Sequence, residues 1–133
     1  MTLITSLFTD PDTTNPDWTI VIEQSLFSKA RPRMTKSGHT YMPKEYKEAQ
    51  RLMREQLREQ WTIAPLECPV RIHLEMRGEG RGDPDNIIGA FLDAAVGIVF
   101  VDDRVKNLPK GSWEWIKTPK KESCWLIQLY RLA

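Results

Sequence analysis

Cysteine and histidine are scarce, with two of each in 133 residues. Cys68 and Cys124 lie 56 positions apart and no C-x-x-C occurs. A disulfide framework needs more than that, so both are expected as reduced, half-buried thiols in a cytoplasmic protein. His39 and His73 show no metal-ligand spacing. No run of about 18 apolar residues exists, which excludes a membrane-spanning helix. The first residues carry no basic region ahead of an apolar stretch, so no signal peptide is expected. No internal repeat, low-complexity block or Gly/Ser linker divides the chain. Charge of one sign is also lacking: 19 basic and 18 acidic residues leave a net charge of +1. Taken whole, that balance argues neither for nor against a polyanionic partner.

What is present fits one globular domain. The length suits a single core. An apolar fraction of 41% and five tryptophans exclude disorder over the whole chain. Residues 1–17, with Asp10, Pro11, Asp12, Asn15 and Pro16, read as a flexible segment, and 18–133 as the domain. Trp18–Phe27 reads as a strand and Ser28–Tyr41 as an exposed loop stiffened by Pro32. Pro43 opens a long helix with Tyr46, Ala49, Leu52, Met53, Leu57 and Trp61 on one stripe. Val70, Ile72, Leu74 and Met76 alternate with charged residues, a half-buried strand. A glycine-rich connection, 78–82, leads to a second helix capped by Asp83, opened by Pro84 and ended by Gly97. Ile98–Val101 reads as a short strand, and Trp113–Lys117 with Cys124–Leu132 as a hairpin. The expected fold class is α+β, a small mixed sheet with two main helices.

Charge distribution says more than charge total. Lys29, Arg31, Arg33 and Lys36 fall in eight residues without an acid. Five aspartates, Asp83, Asp85, Asp93, Asp102 and Asp103, fall in a stretch with no lysine or arginine. Carboxylates are hard oxygen ligands suited to Mg²⁺ or Mn²⁺. Asp83 and Asp85 straddle a helix start, where the dipole tolerates negative charge. Three carboxylates drawn together repel one another unless a cation neutralises them. A divalent ion there can hold a phosphate oxygen and lower the pKa of an attacking water. The plainer reading is capping and turn chemistry for Asp83-Pro-Asp-Asn86, with Asp102-Asp103 a solvated turn.

Asp83-Pro-Asp-Asn86, then Phe91-Leu-Asp93, Gly97 and Val101-Asp-Asp103, resembles the core signature of the RusA-type Holliday junction resolvases. Lys29-Ala-Arg-Pro-Arg33, Gly38, Tyr41, Pro43 and Tyr46 resemble the amino-terminal half of phage-like members. The resemblance spans about residues 18–132. It implies a small homodimeric endonuclease that uses Mg²⁺, with Mn²⁺ as a substitute, and nicks four-way or branched DNA in recombination and repair. It implies Asp83, Asp85 and Asp103 as the catalytic, metal-holding aspartates, with Asn86 and Asp102 as neighbours that orient them. Asp93 matches a recurring helix aspartate. The family's catalytic lysine, four residues after the second aspartate, is replaced here by Gly89. Arg81, Arg104 and Lys106 flank the aspartates as substitute cations.

The basic strip Lys29, Arg31, Arg33 and Lys36 suits sequence-independent phosphate contacts. Lys44, Lys47, Arg51 and Arg54 are weaker candidates, because interleaved glutamates suggest ion pairs along an exposed helix face. Trp113, Trp115 and Trp125 are expected in the core or at a dimer contact. Three functional readings remain open. One is a metal-dependent junction nuclease. A second is a junction-binding protein whose site is degenerate at Gly89. A third is a cation-binding module unrelated to DNA.

Overall fold

The computed structural model describes residues 15–132. Most of the segment expected to be flexible therefore lies outside the described residues. Strand β1 (Trp18–Ile22) is followed by a two-residue hairpin of β2 (Arg33–Met34) and β3 (Thr40–Tyr41). Helix α1 (Lys44–Gln60), strand β4 (Val70–Gly78), helix α2 (Pro84–Ala95) and strand β5 (Lys110–Lys117) come next. A 3₁₀ turn at Lys120–Glu122 leads into β6 (Cys124–Arg131). The main sheet has the order β1-β6-β4-β5. Only β4 and β5 are parallel; the other two pairings are antiparallel. The mixed α+β architecture matches the sequence expectation.

One face of the sheet carries the core. Ile20 and Ile22, Trp125, Ile127 and Leu129, and Leu74 and Met76 lie in register across β1, β6 and β4. All are buried. Met53 and Leu57 from α1 and Ile87, Phe91, Ala94 and Ala95 from α2 close over them. Among the described residues, no helix covers the opposite face. Arg71, His73, Glu75 and Arg77 line it, with the Arg71 guanidinium 3.8 Å above the Tyr130 ring. This is the alternation read from the sequence, with the polar set facing water.

The structure corrects four local expectations. No hairpin joins β5 to β6; residues 118–123 carry the chain over the end of β4, where the Thr118 N–H bonds the Gly78 carbonyl. The chemistry explains the order. β6 has apolar residues on both faces and takes an inner position, whereas every residue of β5 is exposed and it takes an edge. Strand β1 stops at Ile22, not Phe27, because its partner β6 begins at Cys124, one residue before the Trp125 that pairs with Ile22. Ile98–Val101 is a tight turn: the N–H groups of Ile98 and Val99 both bond the Ala95 carbonyl at the end of α2. Leu52 is 41% exposed, one residue off the stripe that buries Tyr46, Met53 and Leu57.

The free edge of β1 is covered from α1. The Gln60 side-chain amide accepts from the Val21 N–H at 3.0 Å and donates to its carbonyl at 2.6 Å. One turn earlier, the Gln56 amide oxygen accepts from the Glu23 N–H at 2.9 Å. These amides replace a neighbouring strand and fix α1 against the sheet.

The two sides of α1 should respond oppositely to truncation. Met53→Ala is expected to cost about 2–5 kcal/mol of unfolding free energy through lost burial and a residual cavity. Leu52→Ala is expected to stay within about 0.5 kcal/mol. Denaturant titration of both variants checks this.

Candidate functional site

The start of α2 is set by the glycine connection before it. Gly80 and Gly82 have φ of +84° and +92°, a backbone region that side chains disfavour. A Cβ at Gly80 would run into the indole of Trp115, and one at Gly82 into the Ser28 hydroxyl. The connection thus folds tightly between β5 and the segment after β1, and delivers Asp83 to the helix N-cap. There the Asp83 carbonyl accepts from the N–H groups of Asn86 and Ile87, both at 3.1 Å. Its carboxylate makes no capping bond. Asp85 sits in the first turn, and both side chains are exposed. Pro84 lacks an N–H that would be unpaired there anyway. Two carboxylates are therefore presented to solvent at the positive end of a 12-residue helix, free to bind something else.

A second element is clamped onto the same helix. Phe27 packs edge-on against Trp125 with centroids 5.6 Å apart, and against Tyr46 at 6.0 Å. Two residues later the Lys29 N–H bonds the Asn86 carbonyl at 2.7 Å. The Lys29 ammonium lies 3.3 Å from Asp93 Oδ2. Tyr46 donates its hydroxyl to the same carboxylate at 3.3 Å. Burial, and then the Asp93 charge and this bond, push the Tyr46 phenol up to about 12. The Lys29 side chain is half exposed. An ion pair of that exposure is worth about 0–1 kcal/mol, so the ammonium is readily released.

Asp102 and Asp103 lie elsewhere. The Asp102 carboxylate accepts from the Arg104 N–H at 3.0 Å and from Asn107 Nδ2 at 2.7 Å. The bond from Arg104 holds its pKa below the ordinary carboxylate value, and the Asn107 amide adds to this. Asn107 is buried, and its carbonyl accepts from the Val70 N–H. Asp102 thus organises a loop pinned to the beginning of β4. Asp103, exposed beside it, belongs to that end of the sheet. Asp83 follows the other end of β4. The helix between them rises about 1.5 Å per residue. Among the described residues, no three His, Cys, Asp or Glu side chains are gathered where they could hold a metal ion.

The basic residues form two further features. Tyr41, Lys44, Lys47, Arg54 and Arg58 line an open groove of about 730 Å³ along α1. Arg51, also on the groove, is held by Glu48 and Glu55. The interleaved glutamates thus engage one arginine, while the groove they border stays strongly basic. Lys117 and Arg81 line a shallow depression of about 440 Å³ beside the glycine connection. Lys117 carried no signal in the sequence; its register opposite Gly78 brings it there. Arg31, Arg33 and Lys36 are exposed on and around the β2–β3 hairpin.

Residues 25–108, well over half of the chain, match the family described as Endodeoxyribonuclease RusA. The chain belongs to this family. No curated protein matches it. RusA endodeoxyribonucleases act on Holliday junctions and branched DNA and are in general dependent on a divalent metal. Among the described residues, no helix is long and apolar enough to cross a membrane. The donor chemistry of this RusA chain suits such a metal, since Asp83, Asp85 and Asp103 are all exposed carboxylates. Of the sequence-predicted cations, Arg81 is nearly fully exposed, its Nε 3.9 Å from Glu79, and Arg104 and Lys106 lie on the Asp102 loop. Lys29 is the cation that the structure sets on α2 itself. The sequence carried a partial signal for that docking, in the glycine at position 89 that its stem covers.

The Asp102 loop gives a pH-dependent expectation. Its folded pKa lies below the ordinary value of 3.8, so its contribution to stability is present above that pH and lost as pH falls through the lower folded value. Asp102→Ala should unfold at lower denaturant than the parent at neutral pH. The gap should close below pH 3.8, which paired unfolding curves across the acid range would measure.

Proposed function

We propose that this chain is a metal-dependent, structure-selective endodeoxyribonuclease that resolves Holliday junctions and related branched DNA in recombination and repair, as a homodimer in the cytoplasm. The observation that carries this reading is the uncapped, exposed pair Asp83 and Asp85 at the start of α2, inside the family match. Asp83, Asp85 and Asp103 would hold Mg²⁺, with Mn²⁺ as a substitute. Such an ion supplies neutralisation of charge on the scissile phosphate and a lowered pKa for water. Asn86 and Asp102 support the carboxylates: Asn86 through its place in the first turn, Asp102 by fixing the loop that carries Asp103. Lys29, Arg31, Arg33 and Lys36 contact backbone phosphates, and the α1 groove extends that surface.

The distance between the two carboxylate groups favours a particular dimer. Within one chain, Asp83 and Asp85 sit at one end of the β4–α2–β5 crossover and Asp103 at the other. Exposed apolar side chains border both. Trp115, 43% exposed, packs on Gly80 just before Asp83, and Val101 and Val105 flank Asp103. A second copy that covers these groups about a two-fold axis would bring its Asp103 to the first copy's Asp83 and Asp85. Two composite sites would then face the two strands of a junction. A second reading, junction binding without cleavage, is favoured by Gly89, which leaves α2 without its own cation in the site.

A labelled four-way junction incubated with Mg²⁺, Mn²⁺ or EDTA, beside a linear duplex, separates these readings. Paired nicks that require both junction and metal are expected. Asp83→Asn and Asp103→Asn should each lose about 10²-fold or more in rate. Mixing the two inactive variants should restore nicking of one strand, since one composite site of the mixed dimer keeps all its aspartates. Full cleavage by Asp83→Asn overturns the nuclease. A junction-selective shift without nicks in any ion establishes the binding reading. Inactive single variants that stay silent together put the three aspartates in one chain.

Phosphate contact by the strip has its own signature. Arg33→Ala or Lys36→Ala should weaken binding to every junction sequence alike and lower the slope of log affinity against log salt by about 1. Titrations at several salt concentrations give that slope.

A further inference from the structure

Asp85, Gly89 and Asp93 follow one another at four-residue spacing and share one face of α2. Across the middle of that face lies the stem of Lys29. A Cβ at Gly89 would stand 3.5 Å from Lys29 Cδ and 3.9 Å from Lys29 Cβ, in ordinary van der Waals contact. The glycine has no side chain to fill this space, and the lysine stem fills it from another element. The backbone of Lys29 is fixed to the same helix through Asn86, one residue after Asp85. Its ammonium points to the Asp93 end, 3.3 and 3.5 Å from the two carboxylate oxygens. Those separations exceed the roughly 2.7–2.9 Å of a tight charge-assisted bond. Asp93 is itself steadied by the Tyr46 hydroxyl.

We propose that Lys29 is a catalytic residue of this chain: it supplies, from the segment after β1, the cation that α2 lacks at Gly89. The proposal rests on the nuclease reading above. Four residues of helix rise about 6 Å, a length the four-carbon lysine stem matches. Rotation of that stem about its fixed backbone carries the ammonium from the Asp93 end of the face towards Asp85. There it meets a non-bridging oxygen of the phosphate under attack and offsets the negative charge that develops on it. Asp93 is the resting partner, holding the ammonium on the helix face when no DNA is bound. Arg31, Arg33 and Lys36, exposed beyond the clamp, are left to the flanking phosphates.

Relocating the amine tests this, because a lysine at position 89 would project from the same patch of helix. Single-turnover nicking of a four-way junction would be measured for the parent, Lys29→Met, Lys29→Arg, and Lys29→Met combined with Gly89→Lys, with Lys36→Ala as a control for simple phosphate contact. Junction affinity would be measured in EDTA, and folding by thermal unfolding. Lys29→Met keeps the stem and removes the charge. It is expected to nick about 10²-fold more slowly, with an affinity no weaker than that of Lys36→Ala. Lys29→Arg should fall between, and the added Gly89→Lys should restore most of the lost rate. If the double variant does not fold, Lys29→Gly with methylammonium in solution replaces it, and recovery of nicking by the free amine is expected. A Lys29→Met that nicks at the parental rate overturns the proposal. So does a loss that tracks affinity alone, or one that neither the relocated nor the added amine repairs. A parent that nicks under no divalent ion fails earlier, at the nuclease reading itself, and removes this proposal with it.

Discussion

The parallel pairing of β4 with β5 decides where every charged group of consequence lies. Parallel neighbours need a crossover, and here α2 supplies it. The helix must begin where β4 ends and finish where β5 begins. Its N-terminus, with Asp83 and Asp85, is therefore held at one end of the sheet, and the loop with Asp102 and Asp103 at the other. The same pairing leaves β5 at an edge, with Trp113 and Trp115 on the core-facing side but beyond the reach of α1 and α2. It also brings Lys117 beside the glycine connection. An antiparallel β5–β6 hairpin, the simpler outcome of a short connection, would have scattered all of these.

The segment between β1 and α1 depends on that frame. It has little regular structure of its own, only the two-residue strands of the hairpin. What fixes its first part is side-chain packing and the backbone bond from the Lys29 N–H to the Asn86 carbonyl. Phe27 wedges between the sheet and α1, and Lys29 then meets α2 through its N–H, its stem and its ammonium. Past Lys29, Arg31, Arg33 and Lys36 project into water. The first cation of the strip is thus tied to the acidic helix while the other three are displayed. One run of sequence serves two physical ends.

Periodicity made much of this legible. The alternation from Val70 to Arg77 is the alternation of β4 faces, and the α1 stripe is right at Tyr46, Met53, Leu57 and Trp61. Asp83 and Pro84 marked the α2 start to the residue. What escaped was non-local. Leu52 reads as core by hydrophobicity, but one residue is a 100° step round a helix, and only packing shows on which side it falls. The β5–β6 connection looks like a hairpin turn because strand order is not written in turn residues. Asp103 looked close to Asp83 because a chain can fold back; the parallel crossover instead leads from one end of β4 to the beginning of β5. Lys29 read as one of four equivalent cations, since nothing in Lys-Ala-Arg-Pro-Arg tells which of them meets a helix 60 residues on.

Electrostatics gives the separation a reason on the proposed reading. Three carboxylates at one point raise the free energy of a folded chain until a cation arrives. Two at a helix N-terminus are tolerated, because the unpaired N–H groups of the first turn stabilise them. The third is kept away, next to an Asp102 whose charge is already satisfied by Arg104 and Asn107. A site completed by a second copy would gather its full negative charge only when the dimer forms, and the divalent ion would stabilise association and site together. The same logic applies to the cation. Lys29 held against Asp93 neutralises the far end of α2 and leaves the carboxylates at its near end unopposed, open to metal before phosphate. An ammonium fixed permanently beside Asp85 would instead compete with the ion for that carboxylate. A glycine at position 89, with a lysine laid across it from outside, separates those two demands in a way that a lysine rooted in the helix does not.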